Sequence, residues 1–209
     1  MVITVFGATG MLGKHLIKHA LYKEYTVKAF GRNVFTSFDE QEQLQLISGA
    51  LFDEEQVLNA VRGSDAVLSV IGGGSDGIDK TRSLGMKNIV AQMQQASVKR
   101  IIAVGDIGIL NADDDKLIMD SPGYPTKFLA VAKEHCLAYG HLKNTRLNWT
   151  IICPPKIIDA DPTGSFHTTA NYPPIPDNGE INAGDLALFM LNELKKNEYI
   201  HQRVGISNG

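Results

Sequence analysis

Three glycines near the start of the chain have the spacing of a phosphate-binding loop. Gly7, Gly10 and Gly13 lie in GATGMLG, between the apolar run VITVF and a stretch that predicts an amphipathic helix. A helix N-terminus attracts phosphate, because its first N–H groups are unpaired and carry partial positive charge. Glycine lets a pyrophosphate come closer to the backbone than a Cβ would allow. The spacing is G-x-x-G-x-x-G rather than G-x-G-x-x-G, but the strand before it and the helix after it favour dinucleotide binding over a purely structural turn.

The residues after the second predicted strand indicate which dinucleotide would bind. This strand ends Phe30-Gly31-Arg32-Asn33, without the carboxylate that holds the ribose hydroxyls in NAD-binding proteins. A guanidinium matches the charge and geometry of a 2′-phosphate, so Arg32 favours NADP(H) over NAD. Asp53, after the third strand, could contact the adenine edge or cap a helix, and the two roles can coexist.

A further run of glycines follows the fourth predicted strand. Gly72 and Gly73 begin the run Gly72-Gly73-Gly74 at the carboxyl end of that strand. Glycines at this edge would let the backbone of a cofactor pass closely. A flexible loop explains them equally well, and both interpretations stay open at this point.

The order of apolar runs and helical patterns predicts a single doubly wound α/β domain of the Rossmann type over residues 1–209, with a mostly parallel sheet and helices on both faces. The predicted strands span 2–6, 25–30, 44–48, 66–71, 100–104, 149–153 and 199–207. The predicted helices span 11–22, 53–62, 80–97, 126–142 and 183–195. Residues 110–125 and 154–180 lack periodicity and predict long loops at the C-terminal edge of the sheet, where such folds bind ligands.

Bulk properties favour a globular protein of the cytoplasm. The 209 residues are 44% hydrophobic and carry a formal net charge of -3, so neither nucleic acid nor an anionic membrane is an expected partner. No basic leader or membrane-spanning run is evident. Cys136 and Cys153 have no metal-like spacing and predict buried, reduced thiols. His15 and His19 share a helix face that looks exposed, without a partner carboxylate, so no metal site is predicted.

Longer segments resemble a known group of proteins. TVFGATGMLGKHL, FGRN, SLGMKNIVAQMQQASVKRIIAV and LNWTIICPPKI are similar to the atypical short-chain dehydrogenase/reductases that have an NAD(P)-binding, NmrA-like core. The resemblance covers nearly the whole chain. Within that group, AKEHCLAYGHLK, ICPPKI, ADPTGSF and DLALFMLNEL resemble the biliverdin-IXβ reductases, also called flavin reductases (NADPH). The last two of these segments are more specific than the glycine loop, because many relatives share the loop but diverge at these two segments.

The resemblance implies a role for individual residues. The phosphate loop would comprise Gly7, Thr9, Gly10, Met11 and Leu12, with Arg32 at the 2′-phosphate, Gly72 and Gly73 beside the ribose and pyrophosphate, and Pro154 and Pro155 beside the nicotinamide. His135 takes the place of the lysine of Tyr-x-x-x-Lys and would support the cofactor site by hydrogen bonding. Asp106 departs from the pattern, because these reductases carry a serine there, close to the substrate. The resemblance also implies a monomer.

The chain lacks the usual acid–base pair of short-chain dehydrogenases. Tyr124 is followed four residues later by Phe128, and the pair Tyr139 and Lys143 lies too far along its helix to reach a nicotinamide. A flavin or linear tetrapyrrole accepts hydride directly and can take its proton from water. Asp106 would orient the nicotinamide or the ligand, relay a proton, or simply cap the polar loop after its strand.

The predicted function is therefore hydride transfer from NADPH to a planar substrate in an open cleft. The substrate would be a flavin (FMN or riboflavin) that is not a prosthetic group, or a biliverdin-like tetrapyrrole or quinone. A non-catalytic NADP(H)-binding regulator of the NmrA-like type is the alternative. A sugar-nucleotide epimerase or dehydratase is disfavoured by the short C-terminal region and the missing Tyr-x-x-x-Lys motif.

Overall fold

Short runs of apolar and β-branched residues form the strands of one central sheet, as their composition predicts. In the computed structural model, which describes residues 1–209, the strands are β1 (Val2–Phe6), β2 (Thr26–Phe30), β3 (Leu44–Ile47), β4 (Ala66–Ser69), β5 (Arg100–Val104), β6 (Asn111–Asp113), β7 (Lys116–Leu117), β8 (Asn148–Cys153), β9 (Lys156–Ile158), β10 (Phe166–Ala170), β11 (Glu180–Asn182) and β12 (Gln202–Asn208). The α-helices are α1 (Met11–Tyr22), α2 (Val34–Ser37), α3 (Glu54–Val61), α4 (Thr81–Gln95), α5 (Thr126–Lys143) and α6 (Ala183–Lys196).

Eight strands share the central sheet in the order β10-β12-β8-β5-β4-β1-β2-β3. All neighbours are parallel except β10 and β12. The chain runs from β1 outward to β3 on one side and then crosses back to β4 on the other, so the winding reverses between β1 and β4. A doubly wound sheet opens its ligand crevice at the carboxyl ends of the strands at this point. The predicted fold class is confirmed.

Both faces of the sheet are buried, which explains the near-continuous apolar strands. Side chains of β1 alternate between the faces: Ile3 and Val5 pack with α1 and α6, and Phe6 packs in the core that α3, α4 and α5 cover. All three are fully buried. Burial of such a side chain contributes about 1.5–3 kcal/mol, so a sheet with one open face would lose much of its stability. None of the helices is long and apolar enough to cross a membrane.

The two segments predicted as long loops contain short strands. β6 and β7 form a hairpin within residues 110–125, and β9 pairs in parallel with β11. β10 adds an antiparallel edge to β12. These strands are short and mostly polar, so they carry little of the apolar signal by which buried strands are identified. The last strand also begins three residues later than predicted, at Gln202.

Two predictions about surface and burial were wrong. His15 does not lie free at the surface, because its side chain is only 14% exposed and Nε2 lies 2.8 Å from Oδ1 of Asp159. That carboxylate comes from a loop 144 residues further along the chain, which helical spacing could not reveal. Cys136 is partly exposed rather than buried, whereas Cys153 is fully buried and both thiols are free.

A buried ion pair ties β5 to α6. Nη2 of Arg100 lies 2.9 Å from Oε1 of Glu193, and the hydroxyl of Thr150 bonds to both side chains. Glu193 also accepts hydrogen bonds from the backbone N–H groups of Tyr199 and Glu198. In the folded state these partners take the place of water around the buried carboxylate, so Glu193 fixes α6 against this face of the sheet.

We expect Glu193→Ala to lower the free energy of unfolding by about 3–5 kcal/mol, because the Arg100 guanidinium would stay buried without its counter-charge. The pair of Lys196 with Glu198, at 3.4 Å, is more than half exposed on both sides and provides the control. Glu198→Ala should cost about 1 kcal/mol or less. Urea unfolding measures both values, and equal losses would contradict this account of the buried pair.

Candidate cofactor and substrate site

The glycine loop joins β1 to α1 where the winding of the sheet reverses. Gly7 has φ +84°, and a Cβ at this position would overlap the carbonyl oxygen of Val70 at the end of β4. A Cβ at Gly13 would overlap the carbonyl oxygens of Gly7 and Ala8. No side chain caps the start of α1. The first N–H groups of the helix therefore face the crevice without a protein acceptor, which suits a pyrophosphate.

A cavity of about 270 Å³ lies beside this loop, and we call it the adenosine cavity. Arg32 lines it together with Gly7 and Gly72, and the guanidinium of Arg32 has no hydrogen bond or ion pair within the chain. Phe52 is 58% exposed at the rim, where an adenine could stack on it. An unpaired guanidinium in such a cavity suits the 2′-phosphate of NADP(H).

Asp53 acts as the N-cap of α3. Its Oδ1 accepts a hydrogen bond from the backbone N–H of Gln56 at 2.9 Å. Phe52, rather than Asp53, lines the adenosine cavity. The capping role is therefore present in the fold, and contact of Asp53 with adenine stays a prediction.

A second cavity, of about 300 Å³, continues from the first and is called the nicotinamide recess here. Gly72 lines both cavities, so a dinucleotide could run from one to the other past its backbone. The recess brings together six of the residues that the sequence singles out: Leu12, Gly72, Asp106, His135, Pro154 and Pro155. Thr9 lies in the glycine loop. Met11 is the first residue of α1, and its side chain is exposed.

A third cavity, of about 550 Å³, opens on the other side of Asp106 and is called the acceptor cleft here. Asp106, Pro154 and Pro155 line both the recess and the cleft. The remaining lining of the cleft is mainly apolar and consists of Ile107, Ile118, Tyr124, Pro125, Phe128, Lys156 and Gly179. The shared residues therefore form the boundary across which two ligands could meet.

Asp106 follows β5 and has an unusual environment for a carboxyl group. Its Oδ1 accepts hydrogen bonds from the backbone N–H of Gly108 at 2.7 Å and from the hydroxyl of Tyr124 at 3.3 Å. Burial raises the pKa of Asp106 above its usual value, although these two bonds and the charge of Arg82 act in the opposite direction. The capping role predicted as one alternative is therefore present, but it does not exclude a chemical role.

His135, on α5, faces the recess with a neutral ring. Burial, reinforced by the charge of Arg82, lowers the pKa of His135 to about 3. No side chain or backbone group of the protein bonds to its ring nitrogens. A neutral imidazole can donate one hydrogen bond and accept another, which fits the predicted role of supporting a bound cofactor rather than titrating in catalysis.

Arg82 on α4 is a site residue that the sequence did not reveal. Its Nη1 and Nη2 donate to the carbonyl oxygens of Gly74 and Gly73, at 2.8 Å and 2.9 Å. Asp79 holds the same segment through the N–H of Gly74 at 2.6 Å, and hydrogen bonds hold the pKa of Asp79 at about 2. The glycine segment after β4 is thus fixed from both sides. Gly73 contributes this carbonyl and does not line the cavities.

Tyr124 is the second residue whose place could not be predicted. The sequence offered it only as the tyrosine of a Tyr-x-x-x-Lys motif, which it does not complete. In the fold it reaches Asp106 from the segment before α5. Tyr139 lies elsewhere, as expected: its ring packs edge-on against Trp149 at 5.6 Å and under the guanidinium of Arg203.

The chain is similar over nearly its whole length to proteins from several bacteria. It is 26% identical over 214 residues to the uncharacterized protein YwnB of Bacillus subtilis (strain 168), and the aligned region covers 97% of this chain and 96% of YwnB. A crystal structure from Burkholderia pseudomallei, provisionally named an exported protein, has a TM-score of 0.86 and 30% identity over 99% of both chains. One from Streptococcus pneumoniae TIGR4, provisionally named an NADH-flavin reductase, has a TM-score of 0.83 and 25% identity over 100% of both chains.

A protein-family model described as NAD(P)H-binding matches residues 7–197. The match begins at the first glycine of the phosphate loop and includes Arg32, Asp106 and the Pro154-Pro155 pair. It thus includes six of the eight strands of the central sheet and every residue that lines the three cavities except Phe6. The chain belongs to the NAD(P)H-binding family.

Proposed function

We propose that the protein is an NADPH-dependent reductase that transfers hydride to a planar, conjugated acceptor. The preferred acceptor is a flavin, FMN or riboflavin, with biliverdin-like tetrapyrroles and quinones as further acceptors. One observation carries the proposal: Asp106, Pro154 and Pro155 line both the nicotinamide recess and the acceptor cleft. A nicotinamide on one side of this boundary would lie against an acceptor on the other, as hydride transfer requires.

The residues around the crevice fit a bound NADPH. The N–H groups at the start of α1 would hold the pyrophosphate, where a Cβ at Gly7 or Gly13 would clash with the backbone. The free guanidinium of Arg32 would hold the 2′-phosphate. His135 and Pro154 would border the nicotinamide. Bound in this way, NADPH supplies the hydride.

The shape of the acceptor cleft supports a planar ligand. Its walls carry Ile107 and Ile118, and Phe128 is 49% exposed at its mouth. Apolar side chains around a cleft of about 550 Å³ suit stacking of a flat ring system, while the few polar groups set its orientation. The likeness to the Streptococcus pneumoniae structure supports the same choice of acceptor.

The test is to follow NADPH oxidation by absorbance with FMN, riboflavin, a biliverdin and a quinone offered in turn, with NADH in parallel. We expect turnover with FMN and a preference for NADPH. Tight NADPH binding without turnover of any acceptor would overturn the reductase proposal and would favour a non-catalytic NADP(H)-binding regulator.

We expect Arg32→Ala to weaken NADPH binding about tenfold to a hundredfold, because a hydrogen bond to a charged group contributes about 1.5–3 kcal/mol. NADH lacks the 2′-phosphate, so its affinity should change little. Calorimetric or fluorescence titration with both dinucleotides measures the difference.

Arg62→Ala serves as the matched control for Arg32→Ala. Arg62 follows α3 and bonds only to Asn59 through its side chain, away from the three cavities. Its loss should leave the ratio of NADPH to NADH affinity unchanged. Equal weakening of both dinucleotides by Arg32→Ala would remove Arg32 from the 2′-phosphate site.

A further inference from the structure

The two oxygens of the Asp106 carboxyl group differ in their surroundings. Oδ1 accepts two hydrogen bonds, from the N–H of Gly108 and from the hydroxyl of Tyr124. Oδ2 has no hydrogen-bond partner in the protein and is not one of the buried orphan atoms. It is therefore open to the cavities that Asp106 lines. In the neutral carboxyl group these two hydrogen bonds to Oδ1 favour the proton on Oδ2.

The charges of the groups that face Asp106 allow its carboxyl group to be protonated. Arg82 approaches from α4 and favours the carboxylate, as do the two hydrogen bonds to Oδ1, but burial outweighs them and raises the pKa of Asp106. His135 on α5 is neutral. Cys153 on β8 is neutral too, since burial raises the pKa of its thiol. Lys156 also lines the cleft and is exposed to solvent, which screens its charge.

We infer that Asp106 is the proton donor to an acceptor carbonyl oxygen, and that Tyr124 is a positioning residue that fixes the donating oxygen toward the boundary of recess and cleft. The inference rests on the proposed reductase function and deepens it. It adds conjugated carbonyl compounds outside the proposed acceptors, such as aromatic aldehydes, as substrates that this chain is equipped to reduce. In this role Asp106 and Tyr124 would take the place of the acid–base pair of tyrosine and lysine that the chain lacks.

With an aromatic aldehyde as acceptor, a C–H bond would form at the carbonyl carbon and the π bond of the carbonyl group would break. The hydride, which carries both electrons, would come from NADPH, where a nicotinamide C–H bond would break. The carbonyl oxygen takes the proton of Oδ2, which gives the alcohol and leaves Asp106 as a carboxylate. The Tyr124 hydroxyl and the Gly108 N–H stabilise that charge at Oδ1. A proton from water then restores the acid.

Flavins provide an internal comparison, because they respond differently to loss of the donor. A flavin spreads the incoming charge over its ring system and can take its proton from water. An aldehyde reduced without a proton donor would become an alkoxide, a very strong base, inside an apolar cleft. Loss of the donor should therefore slow carbonyl reduction far more than flavin reduction.

The first experiment compares two acceptors, 4-nitrobenzaldehyde and FMN, in the wild type and in Asp106→Asn. The amide keeps the size and the acceptor oxygen of Asp106 but cannot release a proton at neutral pH. We expect kcat for the aldehyde to fall about 10²–10⁴-fold, which is the usual contribution of general acid catalysis. The fold-decrease in kcat for FMN should be smaller than this by a factor of about ten or more. Tyr172→Phe is the matched control, because it removes a tyrosine–aspartate bond, to Asp114 at 2.6 Å, outside the cleft. It should leave the ratio of the two rates unchanged.

Each outcome of this comparison decides one question. Equal losses with both acceptors, or a wild type that reduces FMN but not the aldehyde, would overturn the role of Asp106 as a proton donor and leave the flavin reductase proposal intact. A wild type that turns over no acceptor would overturn the proposed function, and this inference with it.

The second experiment measures the Asp106 carboxyl group directly, without turnover. Carbon-13 NMR of aspartate-labelled protein follows its titration, and the signal is assigned by its absence in Asp106→Asn. Since the Tyr124 hydroxyl stabilises the carboxylate, Tyr124→Phe should move the titration midpoint to higher pH, while Tyr172→Phe should not. In Tyr124→Phe, the pH above which the rate of aldehyde reduction declines should rise together with this midpoint, because only the protonated carboxyl group can donate a proton. An unchanged midpoint in Tyr124→Phe would overturn the positioning role of Tyr124.

Discussion

The contact between the glycine loop and the end of β4 is the constraint on which the rest of the site depends. Gly7 lies against the carbonyl of Val70, and Gly13 lies against the carbonyl of Gly7, with no room for a side chain at either position. This packing brings the start of α1 to the point between β1 and β4 where the sheet reverses its winding. The crevice can then admit a pyrophosphate, and the other cavities follow the strand ends from there.

In the nicotinamide recess, burial rather than charge pairing determines the direction in which the pKa values of the titratable groups shift. Asp106 and His135 both face the recess, and burial moves each toward its neutral form. Arg82 is the nearby cation, yet its guanidinium is committed to two backbone carbonyls of the glycine segment. A recess in which burial disfavours charge would suit the uncharged ring system that accepts the hydride in the proposed reaction.

The chain divides into a part that holds the cofactor and a part that forms the cleft. The cofactor part uses β1, β2, β4 and their helices, together with Arg32 and the glycine segment after β4. The cleft is formed mainly by the segments around Ile107, Tyr124 and Gly179, which leave the sheet at its carboxyl edge. Such segments can change their side chains without disturbing the sheet, so in the proposed reductase they would set the choice of acceptor.

The sequence by itself determined the fold class and the position of the phosphate loop, because alternating buried strands, helical periodicity and glycine spacing are local patterns. The resemblance to the short-chain dehydrogenase/reductases implied that Leu12, Asp106, His135 and Pro154 border one cofactor and substrate site, and the recess brings these four residues together. Only the tertiary structure decided the partners of these residues. The bond of Tyr124 to Asp106 crosses 18 residues, and that of His15 to Asp159 crosses 144. Contacts between distant segments depend on how loops pack, and no local pattern in the chain encodes that packing.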